Sequence, residues 1–328
     1  MSQRGASGGK GRGKKPAGQG GKGRGAKGAP KAAPKGGGKG RSGPPPTRRS
    51  STPGRSPASR SRGRSGAVGA PSTGARNDAP GLGGDQVEGR NAVRELLVAG
   101  RRRVYEVVVS TDRADAPVLD DILDLARQMQ VSVREVGRTK LGQIARTTSH
   151  QGVIATAAAL ADDDLDDLLN DPAPDGSPAF LVACDGLTDP GNLGALLRTA
   201  ECAGVTGIVL PRHRAVHVTP AVTKAAAGAV EHLRFSLVGG LPAALARAVE
   251  SGALVIGLDM HGDTTIHALP PVDRPVVVVL GAEGRGLGRL VRQRCDVVAS
   301  IPMYGNTESL NVSVAGALAI YEVVRQRA

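Results

Sequence analysis

Five nearly continuous apolar runs in the second half of the chain constrain its fold most strongly. They read AFLVACD, GIVL, ALVIGLD, VVVVLGAEG and VVASIPM, and they begin at residues 179, 207, 253, 276 and 297. Strands that are apolar along their whole length are buried on both faces, and their alternation with helical patterns is typical of a parallel sheet. The sequence therefore predicts an α/β domain over residues 178–328. Ligands of such sheets bind at the carboxyl ends of the strands.

A smaller α/β unit is predicted before this domain, over residues 85–160. The stretch VEGRNAVRELLVAG has helical spacing and ends at a glycine, and a β-branched run follows at 104–109. Helices are expected near 118–130 and 140–146, and strands near 131–136 and 152–158. The next stretch, ADDDLDDLLNDPAPDGSP, is rich in Asp and Pro, so residues 161–177 are interpreted as an interdomain linker.

Charge is distributed unevenly along the chain. Residues 1–84 contain nineteen Lys and Arg and one acid, a net charge of +18, which leaves −5 for residues 85–328 out of the total of +13. A segment so rich in Gly, Pro, Ser, Lys and Arg has little to bury, so a disordered basic tail is predicted. The tail either solubilises the protein or binds nucleic-acid phosphates. The second interpretation is favoured, because a cationic arm beside an acidic domain indicates an anionic partner.

Several classes of protein are disfavoured by the sequence. The apolar stretches are far shorter than the ~20 residues that span a bilayer, and no apolar signal core follows the basic start. Cys184, Cys202 and Cys295 stand far apart and form no C-x-x-C pair, and the six histidines show no ligand spacing. We therefore expect a cytoplasmic protein with no membrane segment, no disulfide framework and no metal.

Three polar loops follow strands of the predicted sheet. In DGLTDPGNLGALLRTAECAG, Asn192 stands at a helix start and Arg198 follows within the helix. In VVVVLGAEGRGLG, Glu283 lies among glycines, which allow close backbone approach to a ligand. The spacing and late position of these glycines do not fit the dinucleotide fingerprint. The third loop lies between IPM and the final helix and has five hydrogen-bonding side chains within residues 306–311, whereas a helix start needs one.

Together these loops resemble the three motifs of the SpoU/TrmH branch of the SPOUT RNA methyltransferases, in order and in spacing. The resemblance rests on NLGALLRTAECAG at 192–204, VVLGAEGRGL at 278–287 and IPMYGNTESLNVSVAGALAIYE at 301–322. The segment VEGRNAVRELL and the unit after it look like the family's substrate-binding domain, which resembles ribosomal proteins that bind bent RNA. The match is closest to enzymes that methylate the 2′-hydroxyl of a guanosine in the peptidyl-transferase loop of 23S rRNA. The basic tail is an addition to the family pattern.

The resemblance implies a fold, a cofactor and a set of site residues. The fold is a parallel sheet whose C-terminal end forms a deep trefoil knot, and members are homodimers through the knotted domain. The cofactor is S-adenosylmethionine, and the reaction needs no metal. The implied cofactor-binding positions are Leu280, Gly281, Gly286, Ile301, Pro302, Met303 and Leu310. The implied catalytic positions are Asn192, Arg198, Glu283, Ser309 and Asn311.

A ribose hydroxyl is a weak nucleophile, so it reacts only if its proton is removed or it is strongly oriented. The implied roles of the catalytic residues follow from this need. The family pattern assigns activation of the hydroxyl to Arg198. Because a guanidinium keeps its proton in proteins, we expect Arg198 to hold a phosphate and stabilise developing oxyanion charge. Asn192 and Asn311 are expected to orient Arg198 or the ribose, and Glu283 to fix the loop. Lys224 is a further candidate for contact with RNA.

Alternatives remain within this interpretation. The same reaction on tRNA is one, and a drug-resistance methylase acting on an rRNA adenosine is another. The predicted substrate-binding domain favours rRNA over tRNA. A non-catalytic ribosome-assembly factor belongs to a different class, and the presence of all five implied catalytic residues argues against it.

Overall fold

A computed structural model of the protein describes residues 81–112, 116–213 and 215–328. Each predicted apolar run forms a strand within these ranges. The sequence predicts a disordered basic tail over residues 1–84, and residues 1–80 of it lie outside the described residues.

The smaller domain contains a four-stranded mixed sheet in the order β1-β4-β2-β3. Its strands are β1 (Gln86–Glu88), β2 (Val104–Ser110), β3 (Ser132–Val136) and β4 (Val153–Ala157). Its helices are α1 (Arg90–Ala99), α2 (Pro117–Gln128) and α3 (Arg138–Ile144). Strands β2 and β3 are parallel, whereas β4 is antiparallel to both β1 and β2. An aliphatic core lies between the sheet and helices α1 and α2.

The larger domain contains a seven-stranded sheet in the order β7-β6-β5-β10-β8-β11-β9, with parallel pairing throughout. Its strands are β5 (Phe180–Asp185), β6 (Gly207–Pro211), β7 (Phe235–Val238), β8 (Leu254–Leu258), β9 (Thr264–Thr265), β10 (Val276–Gly281) and β11 (Val297–Ser300). Its helices are α4 (Leu165–Asn170), α5 (Pro190–Cys202), α6 (Pro220–Ala225), α7 (Leu241–Glu250), α8 (Arg289–Arg292) and α9 (Val312–Arg327). Two 3-10 turns, Ala229–Glu231 and Ile266–Ala268, complete it.

The central strand β10 explains why the apolar runs are continuous. All six of its residues are buried. Val276, Val278 and Leu280 belong to the core on one face of the sheet, and Val277 and Val279 to the core on the other. The predicted parallel α/β sheet is therefore confirmed, and its carboxyl edge carries the three polar loops.

The boundary of the basic tail at residue 84 was placed too late. Leu82 is buried in the core of the larger domain, and Gly83 forms a bridge with Val218. The amide of Gly84 donates to the carbonyl of Val218 at 2.8 Å. One apolar residue among glycines is too weak a pattern to reveal such a segment, so residues 81–84 belong with the folded part.

The segment 161–177, interpreted as a linker, is packed against the larger domain. It contains α4, whose residues Leu165, Leu168 and Leu169 are buried between strands and α7. Its acids pair with arginines of the domain, as in the 2.8 Å contact of Arg234 with Asp171. The Asp-rich composition obscured the leucine spacing, and the acids serve as ion-pair partners.

Candidate active site

The carboxyl ends of β5 and β10 bring two of the polar loops side by side. Gly281 is the last residue of β10 and pairs in register with Asp185, the last residue of β5. The loop after β10 turns tightly, because the amide of Gly286 donates to the carbonyl of Ala282 at 2.9 Å. A Cβ at Gly281 would lie 2.2 Å from the backbone carbon of Gly286. Glycine is therefore required at the end of this strand.

Two carboxylates that the sequence analysis did not identify hold this glycine loop. The Oδ2 atom of Asp185 accepts from the amide of Gly288 at 2.7 Å, and Oδ2 of Asp259 accepts from the amide of Leu287 at 3.3 Å. Asp185 ends β5, and Asp259 follows the end of β8. An Asp at the end of an apolar run was the available signal for both residues.

Three of the five predicted catalytic residues form one hydrogen-bonded chain. The Nδ2 group of Asn192 donates to Oε1 of Glu283. The Nδ2 group of Asn311 donates to Oδ1 of Asn192 at 2.8 Å. A carboxylate only accepts, so Glu283 turns the NH₂ of Asn192 toward itself and leaves the Asn192 carbonyl for Asn311. The chain joins the first residues of α5, the glycine loop and the start of α9.

The two asparagines of this hydrogen-bonded chain lie at helix starts that are capped by side chains. The Oδ1 atom of Asp189 accepts from the amide of Asn192 at 2.7 Å, at the first turn of α5. The Oδ1 atom of Asn311 accepts from the amide of Ser313 at 2.9 Å and from its hydroxyl at 2.6 Å. Asn311 therefore has two functions, since its carbonyl caps α9 while its amide fixes Asn192.

The structure does not bring Arg198 and Ser309 into this chain. Both side chains are exposed, and neither forms a hydrogen bond or ion pair with another described residue. Arg198 lies six residues after Asn192 on α5, which places the two side chains about 120° apart around the helix axis. The Arg198 guanidinium is thus free to bind a ligand or a group of another molecule.

The predicted cofactor-binding residues differ in exposure: those at 301–310 are partly or largely exposed, whereas Leu280 is buried. Ile301 and Pro302 are half-buried, and Met303 and Leu310 are exposed to 39% and 40%. No hydrogen bond joins residues 302–310 to the rest of the described chain, so their main-chain groups are available to a ligand. Leu280 was expected to form an apolar wall of the site. Its side chain instead lies in the core, where its Cδ1 would be 2.8 Å from a Cβ at Gly316 of α9.

The described residues offer neither a membrane helix nor a metal cluster. No described helix is both long enough and apolar enough to cross a bilayer. Within the same ranges, no group of three or more His, Cys, Asp or Glu side chains is arranged to hold a metal ion. Burial raises the pKa of the Cys184 thiol to about 12, so this cysteine is not a thiolate nucleophile at neutral pH.

The substitution Asn311→Asp separates the two functions of Asn311. Aspartate keeps the oxygen that caps α9, but it lacks the NH₂ that donates to Asn192 and adds a charge near Glu283. If the site transfers methyl groups, as the sequence resemblance implies, we expect that rate to fall by about tenfold or more while the thermal midpoint stays within about 2 °C of wild type. Asn311→Ala loses both functions and is expected to cost a further ~1 kcal/mol of stability. Equal activity of Asn311→Asp and wild type would show that the amide has no functional part.

The sequence was compared with protein-family models and with known proteins. Residues 179–321 match the model of the SpoU rRNA Methylase family, and residues 86–162 match the model named RNA 2′-O ribose methyltransferase substrate binding. An uncharacterized tRNA/rRNA methyltransferase of Mycolicibacterium gilvum is 40% identical over 242 residues, which cover 74% of this chain and 76% of that protein. The 23S rRNA (guanosine-2′-O-)-methyltransferase RlmB of Shewanella oneidensis is 38% identical over 246 residues, covering 74% and 98%.

A solved structure shows the same fold. It is the SpoU methyltransferase AviRb from Streptomyces viridochromogenes in complex with the cofactor AdoMet, with a TM-score of 0.61 and 24% identity. The alignment covers 74% of this chain and 89% of that one, and so it extends over both domains. With both family models matched in order and relatives 40% and 38% identical over 74% of this chain, this chain belongs to the SpoU rRNA methylase family.

Proposed function

We propose that this protein transfers the methyl group of S-adenosylmethionine to the 2′-hydroxyl of a guanosine ribose in 23S rRNA. The observation that carries the proposal is the bonded chain Glu283–Asn192–Asn311, which lies at the carboxyl edge of the sheet in a member of a methylase family. The matched substrate-binding domain supports RNA as the substrate. The likeness to RlmB supports the choice of 23S rRNA and guanosine.

The residues present fit S-adenosylmethionine. Loop 302–310 has main-chain groups without partners among the described residues. At the neighbouring turn, the backbone at Gly281 lies close to the backbone at Gly286. The backbone of Gly281, Ile301 and Leu310 would hold the cofactor, and the side chains of Ile301 and Met303 would contact its apolar parts. When bound, the cofactor supplies a sulfonium methyl group, which is electrophilic without the help of a metal.

The catalytic residues act by holding and orienting the RNA. The Arg198 guanidinium binds the phosphate beside the target ribose and stabilises negative charge on the 2′-oxygen as its proton leaves. The chain from Glu283 to Asn311 keeps the glycine loop and the start of α9 in place, which orients the ribose toward the methyl group. The Ser309 hydroxyl, which has no partner among the described residues, contacts the substrate or the cofactor.

The C-terminal part of the sheet forms a deep trefoil knot. The order of the strands supports this proposal, because the late strands β10 and β11 occupy inner positions and α9 returns to pack against α5. The protein acts in the cytoplasm, where its three cysteines stay reduced. Each of them is free in the structure.

The protein is a homodimer through the knotted domain, and α9 provides part of the interface. Val314, Leu318 and Tyr321 are exposed at spacings of four and three residues, so they form an apolar stripe on one side of the helix. Other residues of α9, including Ala319, Ile320 and Val323, lie in the core. A stripe of this kind is typical of a surface that is buried in an assembly. Dimerisation would bring Arg198 of one protomer near the site of its partner.

Light scattering tests the dimer with the variant Leu318→Glu. We expect wild type to have twice the chain mass of 33.3 kDa, and Leu318→Glu to shift toward the monomer with reduced methyl transfer, because a charge replaces an apolar contact. The matched control is Val98→Glu, since Val98 is similarly exposed but lies on α1 in the smaller domain. A stable, fully active wild-type monomer would refute the dimer.

The proposed function is tested by incubating the purified protein with methyl-labelled S-adenosylmethionine and separate transcripts of 23S rRNA, 16S rRNA and tRNA. We expect label in 23S rRNA, within a dinucleotide that resists alkali, because a 2′-O-methyl group blocks cleavage through the neighbouring hydroxyl. Label confined to tRNA would favour the same reaction on the other substrate. An absence of transfer to any RNA, together with no heat of cofactor binding, would favour a non-catalytic assembly factor.

A further inference from the structure

Three consecutive arginines, Arg101 to Arg103, precede an exposed tyrosine at the start of β2. Tyr105 is 51% exposed. The register of β2 against β4 shifts between Val104 and Glu106, so Tyr105 lies on a β-bulge. A bulge leaves one residue unpaired and turns its side chain away from the regular faces of the sheet. The aromatic ring of Tyr105 is thereby presented to solvent.

Two exposed arginines close to Tyr105 in the sequence are available to an anion, and one of them lies beside its ring. The guanidinium carbon of Arg103 lies 5.5 Å from the ring centre of Tyr105, within cation–π distance. Arg101 and Arg103 are exposed, and within the described residues neither forms an ion pair, although Nη1 of Arg101 donates to the carbonyl of Glu231 at 3.4 Å. The nearby carboxylates already have partners: Glu106 pairs with Arg134, and Glu231 pairs with Arg102. Arg101, Arg103 and Tyr105, which we call the Tyr105 surface, therefore combine a ring with two uncompensated charges.

The arginine between the two exposed ones fixes this surface relative to the larger domain. The side chains of Arg102 and Glu231 are only 8% and 2% exposed. Arg102 donates through Nε to Oε2 of Glu231 at 2.8 Å and through Nη2 to Oε1 at 2.6 Å. Its Nη1 donates to the carbonyls of Gly84 and Ala158, where the chain enters and leaves the smaller domain. A bidentate pair of this kind restricts both orientation and position.

We propose that the Tyr105 surface binds an unpaired nucleotide of the RNA substrate, with the base stacked on Tyr105 and the neighbouring phosphates held by Arg103 and Arg101. Proteins recognise single-stranded RNA by stacking bases on aromatic rings and guanidinium planes, and unpaired arginines neutralise phosphates. This proposal rests on the proposed function, because it takes RNA as the substrate. Since Arg102 anchors the surface, a nucleotide bound there sets where the rest of the RNA meets the larger domain.

The test uses the full-length protein and a 23S rRNA transcript as the probe. Tyr105→Leu removes the ring and keeps an apolar side chain, and we expect it to raise both the Kd and the KM for RNA about tenfold, with kcat unchanged. Tyr105→Phe keeps the ring and is expected to behave like wild type. Arg103→Gln is expected to reduce the slope of log affinity against log salt by about one.

The control is Arg138→Gln, which removes an exposed arginine at the start of α3 in the same domain and is expected to leave the Kd closer to wild type than Arg103→Gln does. All variants should keep the wild-type thermal midpoint and the heat of S-adenosylmethionine binding. Wild-type Kd and KM in folded Tyr105→Leu would overturn the proposal, as would a failure of wild type to bind the transcript. If the Kd changes as expected but wild type transfers no methyl group, the surface stands and the proposed function fails.

Discussion

Arg198→Ala is expected to lower the rate of methyl transfer to 23S rRNA by a factor of about 100 to 1,000. The side chain is exposed on α5 and has no partner among the described residues, so its loss leaves the fold intact. What disappears is the charge that holds the phosphate and stabilises the developing oxyanion. We therefore expect the thermal midpoint and the affinity for S-adenosylmethionine to stay near wild type, and kcat/KM for RNA to fall.

Two further variants sharpen this experiment. Arg198→Lys keeps the charge but loses the planar, bidentate donor geometry, so an intermediate rate is expected. Thr199→Ala is the matched control on the same helix, because it removes only a hydroxyl that bonds to the carbonyl of Ala195. Undiminished transfer by folded Arg198→Ala would exclude the assigned role.

Gly281→Ala is expected to abolish binding of S-adenosylmethionine and to destabilise the protein by about 1–3 kcal/mol. The added methyl group would lie 2.2 Å from the backbone carbon of Gly286 and 2.5 Å from the backbone nitrogen of Leu287. Backbone atoms cannot rotate away as a side-chain end can, so the glycine loop must shift. A shifted loop moves Glu283 and breaks its bond to Asn192. Calorimetry with S-adenosylmethionine and thermal unfolding measure the two effects.

The same substitution in the neighbouring loop provides the control. A Cβ at Gly305 would meet nothing within 4 Å, and its φ lies outside the left-handed region. Gly305→Ala is therefore expected to change stability by less than about 0.5 kcal/mol. If Gly281→Ala bound the cofactor as tightly as wild type, the assignment of this turn to the cofactor would be wrong.

The sheet was predictable from the sequence because burial on both faces leaves a direct trace in composition. In β10, successive valines contact opposite cores, and no polar residue interrupts them. Segments with weaker patterns were not recovered. Leu82 is a single apolar residue among glycines, and the leucines of α4 stand among aspartates that pair with distant arginines. The burial of Leu82 and of the α4 leucines cannot be inferred from the residues that flank them in the sequence.

The sequence predicted which residues form the candidate site better than it predicted the contacts between them. The motif residues Asn192, Glu283 and Asn311 meet because three loops share one edge of the sheet. The anchoring role of Asp185 depends on the distance between strands, which the sequence does not contain. The contact of Leu280 with the cofactor stays a prediction, and its buried side chain packs against α9.

Nucleotide-resolution mapping of 2′-O-methyl groups in total RNA tests the central claim most directly. Cells lacking this protein are compared with cells that carry the wild-type chain or Arg198→Ala. Loss of one 2′-O-methylguanosine from 23S rRNA, restored by the wild-type chain and not by Arg198→Ala, is the predicted result. Identical methylation maps with and without the protein would contradict the account.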